Sequence, residues 1–206
     1  VAKQGGTDPN GNLSLRHLIE KAKKEQVPAD VIKRAIDKVN SGADESYTSV
    51  RYEGFASGGA TVMVDCLTDN VNRTVSLVRN AFTKSKGKMG VSGCVSHMYE
   101  HLSVVIVKDM TEDEALEALL MGEVDAKEIE TEDGNVSIYG DPSDLYKIKD
   151  AITSAKNDAE FIVDEVTYLP NEMVTLDGED KENFDKLLNM LDDVEDVQKV
   201  YHNVNL

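Results

Sequence analysis

Residues 60–82, ATVMVDCLTDNVNRTVSLVRNAF, change hydrophobic period partway, and that change restricts what the chain can fold into. In Ala60–Thr68, Val62, Val64 and Cys66 fall on one face of an extended segment and Met63, Asp65 and Leu67 on the other, which predicts a half-buried strand. Val71, Val75, Val78 and Phe82 then recur at helical spacing, a stripe fit to face a sheet, with Asp69 or Asn70 placed to cap the first free amides. The opposite helical face carries Arg73, Asn80 and Lys84, with Arg79 beside them and Lys86 and Lys88 just beyond. That row has the spacing to track phosphates.

The N-terminal part reads as two short amphipathic helices. The first runs from an N-cap at Ser14 to about Glu25, with Leu15, Leu18, Ile19 and Ala22 inward. The second starts near Pro28, buries Val31, Ile32, Ala35, Ile36 and Val39, and stops at Ser41-Gly42. Their outer faces hold Arg16, Lys21, Lys23, Lys24, Lys33 and Arg34. A helix-turn-helix reading competes here with that of an ordinary solvated hairpin. Gly54, Gly58 and Gly59 precede a strand instead of opening a helix, so they read as a turn, not a phosphate loop.

From Thr111 the text becomes an acidic α/β pattern. Thr111 and Glu114 form a capping box ahead of a helix that turns Ala115, Leu116, Leu119 and Leu120 inward, and Asp133-Gly134 marks a hairpin. A helix follows Asp141-Pro142, then a strand at Phe161–Leu169; with Leu102–Val107 as a leading strand the order is βαββαβ, a ferredoxin-like plan. A last helix (Phe184, Leu187, Leu188 and Leu191 inside) and a strand at Val197–Val204 need the central block as a partner. The expected domains are residues 1–47, helical; 48–107 with 171–206, central and discontinuous; and 108–170, inserted and acidic.

The string RYEG at 51–54, the glycine pair, and CLTDNVNRTVSLVRNAF at 66–82 resemble the YebC family. Those are the "probable transcriptional regulatory proteins", to which a mitochondrial translational activator of cytochrome oxidase is related. PADVIKRAIDK at 28–38, LPNEMVTL at 169–176 and EDVQKVY at 195–201 extend the resemblance over essentially the whole chain. It implies an α+β, three-domain architecture: a small helical N-terminal domain, then two ferredoxin-like α/β-sandwich domains. It also implies a non-enzymatic regulator of gene expression. Family members begin with a further Lys-rich segment, so an N-terminal segment is expected to be missing before Val1. Ser57, where relatives often carry Pro, and HLSVV in place of a Lys-Gly turn suggest a divergent branch.

Charge decides which partners fit. The chain of 206 residues carries a net charge of −17, which argues against a polyanion partner until its distribution is counted. Residues 1–41 hold 8 cations and 5 acids, 42–107 hold 6 and 6, and 108–206 hold 8 and 28. A cationic front and an acidic rear can meet a polyanion with one end only. With 40% apolar content and no apolar run near the ~18 residues that span a bilayer, the chain reads as a globular cytoplasmic protein without a membrane partner. Cys66 and Cys94 read as core residues in a reducing compartment.

No pairing of nucleophile and base is visible, and the acids lie on solvated helix faces, so no enzyme, cofactor or small-molecule substrate is expected. Cys94, His97 and His101 have a metal-like spacing, but on a strand only the two histidines share a face and a fourth ligand is lacking. The resemblance implies nucleic acid as the partner. Promoter DNA would be bound through Arg16, Lys21, Lys23, Lys24, Lys33, Arg34, Arg73, Arg79 and Lys84. The alternative is ribosomal RNA within the ribosome, the protein then assisting elongation through stretches such as consecutive prolines. A scaffold that meets only proteins is a third class, and salt dependence separates it from the other two.

Overall fold

The computed structural model describes residues 1–2, 6–40 and 47–205. It divides into two compact units, residues 1–45 and 46–206.

The first unit is a helical pair, α1 (Leu13–Lys24) and α2 (Ala29–Asn40). The Asn12 side chain accepts from the Leu15 amide at 3.1 Å and donates to the Gly6 carbonyl at 2.9 Å, so Asn12, not Ser14, caps α1. Apolar residues of both helices line a hollow of about 300 Å³. Among the described residues of this unit only Leu15 is a fully buried apolar side chain. The expected helix stop at Ser41-Gly42 lies outside the described residues.

The second unit holds two antiparallel four-stranded sheets. The first contains β1 (Thr48–Phe55), β2 (Thr61–Thr68), β3 (Lys88–Met89) and, from the end of the chain, β8 (Val197–His202), in the order β3-β1-β2-β8. Helices α3 (Val71–Lys84) and α6 (Gly178–Asp192) cover one face around Val64, Val78, Phe82, Phe184, Leu187 and Leu191. The close approach needs a glycine at 54, where a Cβ would stand 2.6 Å from the Phe82 ring and 2.7 Å from the Lys88 carbonyl. On the other face Met63 packs against Val95 and Tyr99. β2 is therefore buried on both sides, not half-buried, because the segment leading into the second sheet lies across its back.

The second sheet contains β4 (Tyr99–Val107), β5 (Glu128–Glu132), β6 (Asn135–Gly140) and β7 (Phe161–Pro170), in the order β5-β6-β4-β7. With α4 (Glu112–Met121) and α5 (Leu145–Ala155) the chain order is βαββαβ. Thr111 and Glu114 form the expected capping box. Asp133 and Gly134, at φ 50° and 79°, make the turn between β5 and β6.

Four expectations change. β4 pairs along its length with β7 and in its second half with β6, as expected for a leading strand at Leu102–Val107, so the boundary drawn at 107 cuts this strand from its partners. The first sheet has a hairpin at its centre, because the short link at 56–60 lets β1 and β2 pair directly, and so its connectivity is not βαββαβ. In α3 the buried stripe passes through Thr74 in place of Val71, which is 41% exposed. In α4 Ala115, Ala118 and Leu119 are buried, while Leu116 and Leu120 face outward. Among the described residues no helix is long and apolar enough to cross a membrane.

Candidate nucleic-acid interface

Helix α3 starts with the Asn70 side chain accepting from the Arg73 amide at 3.1 Å. Its first turn is tied to the entry of β8. Arg73 donates to Asp196 and to Asp69, each at 2.8 Å, and Thr74 donates to Asp196 at 2.7 Å. The Arg73 guanidinium, then the Thr74 hydroxyl, hold the Asp196 carboxyl below its usual range, and Asp196, then Asp69, raise Arg73. Asp196 is 8% exposed, so this is a charge-assisted anchor. Arg73, the leading member of the expected row, is bound by the protein's own carboxylates.

The C-terminal half of α3 is different. Arg79 and Lys84 are exposed and make no side-chain ion pair among the described residues. The Ser76 and Thr83 hydroxyls donate to the Asn72 and Arg79 carbonyls, so these two turns present cations above a satisfied backbone. From α6, the Lys186 ammonium donates to the Lys84 carbonyl at 2.9 Å and adds a charge where the helix dipole is negative. Lys86 is paired with Glu179, while Lys88 is exposed on the edge strand. Residues 70–99 contain no acid at all, a signal in the sequence that also marks Lys88; Lys186 is brought in only by the packing of α6.

A buried carboxylate fixes the segment that follows. Glu53 is 4% exposed and accepts from the amides of Gly93 (2.8 Å), Val95 (2.8 Å) and Ser96 (2.9 Å). Burial pushes its pKa up, but the three amides outweigh burial and leave the carboxyl below its ordinary range. Sequence reasoning missed this role, since nothing local distinguishes Glu53 from a solvated strand residue.

The six remaining cations lie in the helical unit. Arg16, Lys21, Lys23, Lys24 and Lys33 are exposed, and Lys21, Lys23 and Lys24 occupy the last turn of α1. Arg34 is exposed but paired with Asp30 one turn before it. Glu20 lies between Arg16 and Lys23 on the same helical face, so the stripe is mixed.

The histidines do not converge. His97 sits on a 3-10 turn at Ser96–Met98, not on a strand. His101 stacks on Tyr168 with ring centroids 4.2 Å apart, and Arg51, held by Asp65 at 2.5 Å, lies 4.2 Å from the same Tyr168 ring. This pile joins the two sheets and leaves His101 with a lowered pKa, from burial and then from Arg51. Among the described residues no three His, Cys, Asp or Glu are placed to hold a metal ion.

A model of the TACO1/YebC second and third domain matches residues 47–204, and one of the TACO1/YebC protein N-terminal domain matches residues 1–42. The chain belongs to the TACO1/YebC family. A "probable transcriptional regulatory protein" of Pseudoalteromonas atlantica is 50% identical over 203 residues, 98% of this chain and 84% of the relative. One of Shewanella oneidensis is 49% identical over 206 residues, 100% of this chain and 86% of the relative. The crystal structure of a conserved hypothetical protein from Aquifex aeolicus superposes with a TM-score of 0.81 at 36% identity, covering 99% of this chain and 84% of that one. Membership gives the chain the family's helical N-terminal region and two sheet-containing domains.

These matches correct two expectations. The N-terminal domain model matches residues 1–42, and the expectation of a missing segment is withdrawn. Identity near one half over the whole chain likewise removes the case for a divergent branch.

Proposed function

We propose that this protein is a non-enzymatic regulator of gene expression that binds DNA, with Arg79, Lys84 and Lys186 as its phosphate contacts in the second unit and Arg16, Lys21, Lys23, Lys24 and Lys33 in the helical unit. The observation that carries this reading is the exposed, acid-free C-terminal half of α3, joined by Lys186. Arg73 and Arg34 have positioning roles, because carboxylates already hold them. Few aromatic side chains are exposed beside these cations, which favours backbone contact over base stacking.

The proposed setting is the cytoplasm, in keeping with two free cysteines, one of them buried. We further infer three domains, 1–47, 48–98 with 171–206, and 99–170, the last with a ferredoxin-like plan, supported by sheet membership and by the βαββαβ order. Neither a membrane nor a small-molecule substrate enters this reading. A ribosome-bound role in elongation is the second reading. It is favoured by the charge asymmetry, since an acidic rear of 28 acids and 8 cations in residues 108–206 suits basic ribosomal proteins.

The test is titration of the full chain against a promoter duplex and against ribosomes at matched ionic strength. Arg79→Glu with Lys84→Glu is expected to weaken binding to the true target across all sequences. It should also reduce the slope of log affinity against log salt by about 0.9 per lost phosphate contact on duplex DNA. Unchanged affinity of this variant for both targets would remove the proposed interface.

A further inference from the structure

Helix α4 carries an apolar arc wider than the sheet beneath it can cover. Ala115, Ala118 and Leu119 are buried, yet Leu116 is 49% exposed, Leu120 71% and Met121 80%. Three large apolar side chains outward on a ten-residue helix make a patch, not the scattered exposure of an ordinary surface.

Of these three, Met121 lines a groove between α4 and α5. At Gly122 a Cβ would stand 2.6 Å from the Ala151 Cβ, so α4 and α5 approach closely at this end. Outside that contact lies a hollow of about 520 Å³ floored by Ala118, Gly122, Ala151 and Ala155 and bounded by Met121. A second hollow of about 460 Å³ shares Ala118, Met121 and Ala155 with it, and Glu114 and Glu117 line it.

Charge identifies the occupant. Residues 109–126 contain seven acids and no lysine or arginine, so the α4 wall is acidic. On the opposite wall the Lys147 ammonium is held by Asp144 and that of Lys156 donates to the Asp109 carbonyl, which leaves the cations of this rim engaged. An apolar floor beside an acidic wall selects a segment with the reverse pattern.

We propose that the outer groove between α4 and α5 docks a lysine- and arginine-bearing amphipathic helix of a partner protein. Its apolar side chains rest on Met121 and the alanine floor, and its cations lie over Glu114 and Glu117. This surface is separate from the cationic face of α3 and does not depend on nucleic-acid binding.

The probe is a fluorescein-labelled helical peptide of leucine and lysine, titrated by anisotropy into the full chain, with a leucine and glutamate counterpart as control. The lysine peptide should bind and the glutamate peptide should not. Met121→Ser leaves the net charge unchanged and alters only an exposed side chain; it should weaken binding about tenfold, with an unchanged unfolding curve. Equal binding by this variant would show that diffuse negative charge attracts the peptide and would overturn the proposal. Concentration-dependent dimerisation of the full chain, abolished by the same variant in sedimentation, would overturn the proposed occupant in favour of a second copy.

Discussion

Glu53 shows how one side chain can organise a loop. Its carboxylate takes three amides, the buried one of Val95 and the part-buried ones of Gly93 and Ser96, and Glu53→Ala should cost about 3 kcal/mol in urea unfolding. Because the folded pKa lies below the ordinary 4.5, this contribution is fully present above pH 4.5 and is lost as pH falls through the folded value. The stability gap between the parent and the variant should therefore narrow in acid. A gap that widens below pH 4.5 would contradict the assigned role. Arg73 works in the same manner, as a cation spent on Asp69 and Asp196. Its replacement by Gln should lower the unfolding midpoint and leave the salt slope of nucleic-acid binding unchanged.

Among the elements, α4 and the β5–β6 hairpin obey local rules closely enough to be tested by them. Thr111 both caps α4 and receives Glu114 in return, so Thr111→Ala should cost about 1 kcal/mol, read from the denaturation midpoint. Gly134 at φ 79° has open space where a Cβ would stand, so the penalty for Gly134→Ala is conformational alone, about 1 kcal/mol. The leucines of α4 obey a different constraint. Helical periodicity places Leu116 and Leu120 on an apolar arc, but Ala115, Ala118 and Leu119 suffice to cover the sheet, and the arc that remains faces solvent.

At the scale of the molecule, burial is concentrated after residue 46. All three buried clusters lie in residues 56–204, whereas Leu15 alone is fully buried among the described apolar residues of the helical unit. Residues 46–206 should therefore unfold cooperatively as an isolated fragment, and residues 1–45 alone should show little helical circular dichroism, since two short helices without a shared core are marginal in water. A stable isolated helical pair would show that its apolar hollow closes without a partner.

The chain's local text was enough for the βαββαβ order of residues 102–169, the cap at Thr111, the turn at Asp133-Gly134, and the return of the last helix and strand to the first sheet. These depend on periodicity, caps and positive φ, which act over a few residues. The assembled fold was needed to show that Arg73 is spent on Asp196, that Lys186 joins the end of α3, and that Glu53 pins a loop some forty residues away in sequence. Periodicity tells which face a cation occupies; which carboxylate or carbonyl then reaches it depends on contacts between segments far apart in the chain, and those contacts exist only once the sheets have closed on their helices.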